Sequence, residues 1–168
     1  LASLRPANRL RKFAAGALLF GALTLAALAI AQAVAPASLA VATAEDGTVH
    51  VVDADGNSLY LFLNDFNNVS SCDAGCAVNW PPALAVDAST LPAVSDELDA
   101  SLLGTTERAD GMIQLTYNGW PLYYFAGDGR PGDATGQGIN DVWFLVTPEG
   151  TGAGLAADAL GGGAAPMQ

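Results

Sequence analysis

A ten-residue stretch occurs twice in this chain and constrains its fold more than any other feature. The copies span residues 56–65 and 119–128, and both read G-x-x-L-Y-x-F-x-x-D. The same offset of 63 residues places Trp80 on Trp143. Identities at one offset indicate a duplicated unit, whose two copies pack together. The repeat-motif residues predicted to be structural are Gly56, Leu59, Tyr60, Phe62, Asp65, Trp80, Gly119, Leu122, Tyr123, Phe125, Asp128 and Trp143.

Charge is distributed unevenly along the chain. The four basic residues before residue 35 all lie within the first dozen, and only Arg108 and Arg130 are basic beyond them. Residues after Ala33 include seventeen Asp and Glu and no lysine, which gives a formal charge of −15. A surface of this sign repels nucleic acids and anionic lipids, so neither is expected as a partner. An envelope protein partner or, more weakly, a divalent cation is compatible with it.

The N-terminal segment, residues 1–33, has the two parts of an export signal. A basic stretch at residues 5–12 precedes an uncharged run, rich in Ala and Leu, from Phe13 to Ala35. Small-x-small sites around Ala31 favour cleavage as a signal peptide. A membrane-spanning helix needs about 20 apolar residues, and the run is long enough to remain as such an anchor. Either way, the chain is expected to reach the periplasm, the outer surface or the extracellular space, with membrane contact only through this segment.

The remaining chain divides by composition into three parts. Residues 34–45 are small and unpatterned, which predicts a linker. Residues 46–148 are predicted to form one duplicated β domain, with repeats at about 46–86 and 109–148. The Gly/Ala-rich residues 149–168 are predicted to be a disordered tail.

Each repeat has the pattern of a β-hairpin. Asp55-Gly56 and Asn118-Gly119 are both expected to form type I′ turns, which need two residues with positive φ. In the strand after the first turn, leucines alternate with Tyr60 and Phe62, so both faces are apolar and burial on both sides is predicted. The fold class expected is mainly β: a single small domain of two tandem hairpin repeats with pseudo-two-fold symmetry and short helical turns, preceded by one N-terminal hydrophobic helix. A short helix over 95–104 is also predicted, with Ser95 as its cap.

Cys72 and Cys76 are the only cysteines, and in an exported chain they predict a disulfide. Three intervening residues place them one helical turn apart, within bonding distance. A metal site would need further ligands, and His50 is the only histidine; no metal and no cofactor are therefore expected. A redox dithiol usually has two intervening residues. A redox or metal-handling accessory role nevertheless stays as the alternative function.

The polar, glycine-rich loop at residues 127–140 is a second candidate site. Long irregular loops often carry function, and this loop could hold a cation. A solvated loop with an Asp128–Arg130 contact is the simpler interpretation.

The linked motifs resemble those of a bacterial family. The paired Tyr-x4-Asp units, the Cys-x3-Cys-Ala-x2-Trp-Pro-Pro run after the first and the Tyr-Asn-Gly-x-Pro-Leu-Tyr-x-Phe run in the second resemble secreted repeats of unknown function, also called lipoprotein-like repeat proteins. The resemblance covers residues 46–148 and implies an exported envelope protein with a β-rich duplicated domain. It implies no activity. Many relatives carry a lipidated cysteine that is missing from this sequence, so lipid anchoring is not carried over.

No catalytic residue is predicted. Beyond the N-terminal segment there is one histidine and no lysine, so no base–nucleophile pair can be identified. Asp65 and Asp128 could face each other as an acid/base dyad, but capping of strand ends explains both more simply. The expected function is that of a non-enzymatic exported envelope module that binds or scaffolds.

Overall fold

The computed structural model describes residues 35–65 and 68–156, and the architecture of these residues is mainly β. The strands are β1 Ser38–Thr43, β2 Val49–Asp53, β3 Tyr60–Phe62, β4 Ala93–Val94, β5 Leu103–Glu107, β6 Ile113–Tyr117, β7 Trp120–Pro121 and β8 Trp143–Leu145. Helical structure in the same residues consists of α1 Ala74–Asn79 and two 3-10 turns, Ala100–Leu102 and Ile139–Asp141. The predicted signal or anchor, residues 1–33, lies outside the described residues. Within them, no helix has the length and hydrophobicity needed to cross a membrane.

The two repeats open with the same antiparallel pair of strands. In the first repeat β1 pairs with β2, from Leu39 opposite Asp53 to Thr43 opposite Val49. In the second repeat β5 pairs with β6 in the same manner. The sheet orders are β2-β1-β4, β5-β6-β7 and β3-β8. Each repeat therefore starts with a strand that precedes the predicted hairpin.

The prediction of a linker over 34–45 was wrong, because β1 lies within it. Its residues are mostly small, and alternation of large apolar side chains, the signal used for strands, is missing. Leu39 is nevertheless buried, at 1% exposure. For the same reason the predicted repeat starts, 46 and 109, were too late. The repeats begin at β1 and β5, and the Gly and Thr residues of β5 gave an equally weak strand signal.

The two hairpin turns differ. Asn118 and Gly119 have φ values of 49° and 78°, which confirms a two-residue turn with positive φ at both positions. In the first turn Gly56 has positive φ, at 82°, but Asp55 does not, and the Gly56 N–H donates to the carbonyl of Asp53 at 3.0 Å. The type I′ prediction was wrong there. The Asp53 carboxylate accepts from the N–H groups of Asp55 and Asn57, both at 2.9 Å, and so stabilises a longer turn.

The helix predicted over 95–104 was also wrong. Only Ala100–Leu102 is helical, as a single 3-10 turn, and Leu103 begins β5. The Asp99 side chain accepts hydrogen bonds from the N–H and the hydroxyl of Ser101 at 2.8 and 2.6 Å, which caps a turn rather than a longer helix.

The C-terminal segment that was predicted to be disordered, residues 149–168, begins with packed residues. Ala153 is 4% exposed and Gly152 bridges Val146, whereas residues 157–168 lie outside the described part.

The centre of the domain is the contact between the extended segments of the two motifs, residues 59–62 and 122–125, which are called the motif strands below. Tyr60 and Tyr123 exchange backbone hydrogen bonds, N–H to carbonyl, at 2.8 and 2.9 Å. Leu145 pairs beside Tyr60, and Pro82 pairs beside Tyr123 at the equivalent place. Such reciprocal contacts define a local pseudo-two-fold axis between the tyrosines.

The motif strands are buried on both faces, which confirms the sequence prediction. One face packs into an aliphatic core with Leu59, Leu61 and Leu122. The other face, with Tyr60 and Tyr123, packs into an aromatic cluster. Both tyrosines are fully buried.

Candidate functional site

The two Tyr-x4-Asp motifs are connected crosswise. Tyr60 of the first repeat donates its hydroxyl hydrogen to Asp128 Oδ2 of the second at 2.6 Å. Tyr123 of the second repeat donates to Asp65 Oδ2 of the first at 2.7 Å. Distances this short are typical of hydrogen bonds to an ionised acceptor. The motif therefore holds the two repeats to each other.

The second oxygen of each carboxylate holds the loop that follows it. Asp65 Oδ1 accepts from the N–H and the hydroxyl of Ser71, both at 2.7 Å. Asp128 Oδ1 accepts from the equivalent groups of Thr135 at 2.9 and 2.6 Å. Capping of the strand ends by these aspartates was predicted. Each aspartate serves the opposite tyrosine, and this arrangement replaces the dyad considered from the sequence.

A buried arginine extends the Asp65 side of this network. Arg108 is 5% exposed and donates to the Ser70 hydroxyl at 2.6 Å, the Gln114 side chain at 2.8 Å and the Cys72 carbonyl at 2.8 Å. Ser70 in turn lies 2.7 Å from the Tyr123 hydroxyl. Sequence reasoning missed this residue. The one signal in the sequence was that Arg108 is one of only two arginines beyond the N-terminal segment, which contains every lysine of the chain.

The electrostatics of the network follow from its burial. Burial raises the pKa of Asp65 above its ordinary value, while hydrogen bonds from Tyr123 and Ser71 and the charge of Arg108 offset part of that increase. Burial also raises the pKa values of Tyr60 and Tyr123, and the adjacent carboxylates add to the effect. Both tyrosines are therefore neutral proton donors at physiological pH.

The two crossed bonds should differ in energetic weight. Asp65 is 2% exposed, whereas Asp128 is half-buried and can be hydrated. Tyr123→Phe leaves a buried carboxylate oxygen without its donor, so we expect a loss of about 1–3 kcal/mol in unfolding free energy. Tyr60→Phe should cost less, because water can replace the lost donor. Urea denaturation of both variants measures the difference, and equal losses would contradict the assigned role of burial.

Four aromatic rings stack in one column beside these tyrosines. The order is Phe62, Trp143, Trp80, Phe125, with successive ring centroids 4.1, 3.9 and 4.4 Å apart. The two indoles are nearly parallel, at 3°. Tyr60 meets Trp80 edge-on at 5.4 Å and Tyr123 meets Trp143 edge-on at 5.2 Å, as aromatic quadrupoles favour. The equivalence of the tryptophans was predicted, but their contact was not.

The disulfide between Cys72 and Cys76 closes over this aromatic cluster. The Cα atoms are 5.3 Å apart, and Cys76 lies on α1, so the bond and its location at a helical turn agree with the prediction. Cys72 is 1% exposed. The second repeat has Gly136 close to the cluster, where its N–H bonds the Tyr60 hydroxyl at 3.2 Å.

Gly136 leaves no room for a side chain. A Cβ at this position would lie 2.9 Å from the Trp80 ring and 2.9 Å from the Tyr60 ring. We expect Gly136→Ala to lower the unfolding free energy by about 1–3 kcal/mol, because rigid stacked rings must shift. Gly75→Ala is the matched control: Gly75 lies in α1 with open space around it, and alanine there should stabilise by roughly 0.5–1 kcal/mol. An unchanged unfolding free energy for Gly136→Ala would show that the aromatic cluster is loosely packed.

His50 is fully buried on β2. Its Nε2 lies 2.9 Å from the Ser58 hydroxyl and its Nδ1 lies 3.2 Å from the Thr48 carbonyl. Ser58 also donates to the carbonyl of Asp133 in the second repeat at 2.7 Å. Because Ser58 gives its one hydrogen to Asp133, Nε2 is the donor to Ser58, and the chain His50–Ser58–Asp133 is that of a structural histidine.

The 127–140 loop borders an open groove of about 340 Å³. Glu45, Asp46 and Asp133 line it together with Arg130. Arg130 contacts Asp133 at 3.4 Å, so the predicted Asp128–Arg130 contact was wrong. Asp128 instead serves Tyr60 and Thr135. In the part of the chain that is described, no group of three His, Cys, Asp or Glu residues is placed to hold a metal ion.

The fold and the crossed motif define a class: a disulfide-bonded β domain built from two fused copies of one secreted repeat. The family model described as a secreted repeat of unknown function matches residues 40–84 and 104–147, which is more than half of the chain. The chain belongs to this family, and membership is consistent with export. Both matched segments start near β1 and β5, in agreement with the corrected repeat boundaries. No curated protein and no solved structure matches the chain.

Proposed function

We propose that this protein is a non-enzymatic module of the cell envelope that binds or scaffolds a positively charged partner. The observation that carries the proposal is the internal use of the motif. The Tyr–Asp hydroxyls and carboxylates join the two repeats and fix two loops. Groups engaged in internal hydrogen bonds make the domain rigid, so the motif supports a scaffold whose surface is available to a partner. A non-enzymatic role follows most simply.

The groove between the β1–β2 turn and the 127–140 loop is the surface best suited to such a partner. Its volume is at the low end of the range for ligand pockets, about 300–1,000 Å³. Three carboxylates line it, and the exported part as a whole is strongly acidic. Long-range attraction would therefore steer a cationic segment toward the groove and repel acidic competitors.

Site-specific photo-crosslinking in the native envelope tests this proposal. A benzophenone amino acid replaces Arg130, which lines the groove, and the matched control carries it at Val78, an exposed residue of α1 outside the groove. We expect a discrete adduct from position 130 that weakens as salt approaches about 1 M, where charges are screened beyond roughly 3 Å. Equal labelling from both positions, or none from position 130, would refute the groove as a binding surface.

A redox accessory is the second candidate function. The observation that favours it is the contact between the two tryptophans and the carboxylate-bonded tyrosines, and it leads to a separate inference.

A further inference from the structure

The aromatic column contains two indoles in direct contact, and an indole can lose one electron without losing a proton at the same time. Trp80 and Trp143 are 5% and 3% exposed, and their ring centroids are 3.9 Å apart. A positive charge left by removal of an electron can spread over two parallel indoles, which lowers its energy. Phe62 and Phe125 cover the outer faces of the pair, at 4.1 and 4.4 Å, and keep water from the indole faces.

Each indole also touches a tyrosine that has a proton acceptor in place. A phenol loses an electron easily only when its proton leaves at the same time, because the protonated radical cation is a very strong acid. The Tyr60 hydroxyl has Asp128 at 2.6 Å and the Tyr123 hydroxyl has Asp65 at 2.7 Å. Burial raises the pKa of Asp65, which makes it a stronger base than an ordinary aspartate.

We propose that the Trp80–Trp143 pair and the two crossed Tyr–Asp pairs form a one-electron oxidation site. The site reduces a diffusible oxidising radical and holds the resulting hole as a neutral tyrosyl radical. The inference is independent of the binding role proposed above.

The steps balance in electrons and protons. The oxidising radical takes one electron from the indole pair and becomes an anion, and the pair becomes a radical cation. Tyrosine then returns one electron to the indoles while its hydroxyl proton passes to the bonded carboxylate oxygen. The products are the reduced oxidant, a tyrosyl radical and a protonated aspartate. A one-electron reductant of the thiolate class then reduces the tyrosyl radical and becomes a thiyl radical, and the proton returns from the aspartate to the tyrosine.

The chain contains matched controls for this site. Trp120 is the third tryptophan and is similarly buried, at 8% exposure, but packs in the aliphatic core. Tyr117 donates to the backbone carbonyl of Pro148 at 3.0 Å, and a carbonyl oxygen cannot accept the proton as a base. Tyr124 donates to the Asp53 carboxylate, but at 3.1 Å, and its ring packs against the aliphatic core. Among the four tyrosines, all of which lie in the described residues, only Tyr60 and Tyr123 combine an edge-on contact to a tryptophan with a short hydrogen bond to a carboxylate.

Pulse radiolysis of the purified protein with azide radical as the oxidant tests the proposal. We expect the visible absorbance of a tryptophanyl radical to convert to that of a tyrosyl radical in a first-order step, at a rate independent of protein concentration. Tyr60→Phe and Tyr123→Phe should each lower the rate of conversion by about half, because the remaining tyrosine still takes the hole, and the double variant should abolish most of the tyrosyl yield. Trp120→Phe should leave the conversion unchanged.

The role of the proton acceptor has its own readout. In the Tyr123→Phe background only Tyr60 remains as an acceptor of the hole, so Asp128→Asn should slow tyrosyl formation by roughly 100-fold, the range typical of a positioned proton acceptor. An unchanged rate would overturn the assignment of Asp128. A wild-type tyrosyl yield in the Tyr60/Tyr123 double variant would overturn the site itself. If that variant does not fold, the wild-type kinetics decide, because a tryptophanyl radical that decays only by collision between molecules contradicts the proposal.

Discussion

Arg108→Met is expected to lower the free energy of unfolding by about 3–5 kcal/mol, because three acceptors lose a charged donor at about 1–3 kcal/mol each and the ion pair with the half-exposed Asp110 is lost as well. Methionine has a similar length, so the packing volume is largely kept. The loss comes from the acceptors that remain: the carbonyl of Cys72 and the amide oxygen of Gln114 each lose a donor in a buried place. Ser70, which lies between Arg108 and Tyr123, loses its donor as well.

Arg130→Met is the matched control for this experiment. Arg130 is a surface residue with a side chain 84% exposed, and its contact with Asp133 is a solvent-exposed pair. Removal of such a pair should change stability by no more than about 0.5–1 kcal/mol. Urea denaturation of both variants gives the comparison. The carboxyl signal of Asp65 in a pH titration adds an independent readout, because loss of the Arg108 charge should raise the pKa of Asp65 further. Similar stabilities for the two variants would show that Arg108 does not hold the network together.

The fold could be predicted from sequence where the evidence is local. Alternation in the motif strands gave their burial on both faces correctly, because side-chain direction along a strand depends on position alone. β1 was missed because Ala, Ser and Thr leave no hydrophobic alternation even when the strand is paired along its length. The first hairpin turn was misassigned because the Asp53 side chain, rather than the Asp-Gly dipeptide, sets the turn length.

The site could be predicted only in its parts. Both tyrosines, both aspartates and both tryptophans were visible as equivalent positions in the two repeats. The equivalence of these positions does not predict which side chains of the two repeats come into contact, because that depends on where the pseudo-two-fold axis passes. The axis lies between Tyr60 and Tyr123, so each hydroxyl reaches the carboxylate of the other repeat and the two indoles come face to face. Arg108 enters through tertiary contacts alone and has no counterpart in the repeat pattern.

Alkaline pH is expected to unfold this protein through its tyrosines. The chain has four, and the pKa of each is raised, by burial first and by neighbouring carboxylates in addition. A raised pKa means that the folded state keeps protons that the unfolded state releases above pH 10, the ordinary tyrosine value. Their contribution to stability is therefore complete below about pH 10 and is lost as the pH rises toward the folded-state values.

The size of this effect follows from the two fully buried tyrosines. For each, stability should fall by about 1.4 kcal/mol per pH unit above pH 10, so Tyr60 and Tyr123 together remove on the order of 5 kcal/mol by pH 12. Small domains have only about 5–15 kcal/mol in total. Tyrosinate absorbance should thus appear together with the loss of circular dichroism, and Tyr60→Phe should reduce the slope of stability against pH by one tyrosine's share. A smooth titration near pH 10 in a protein that stays folded would contradict this, because it would require hydroxyls that ionise without breaking the crossed bonds.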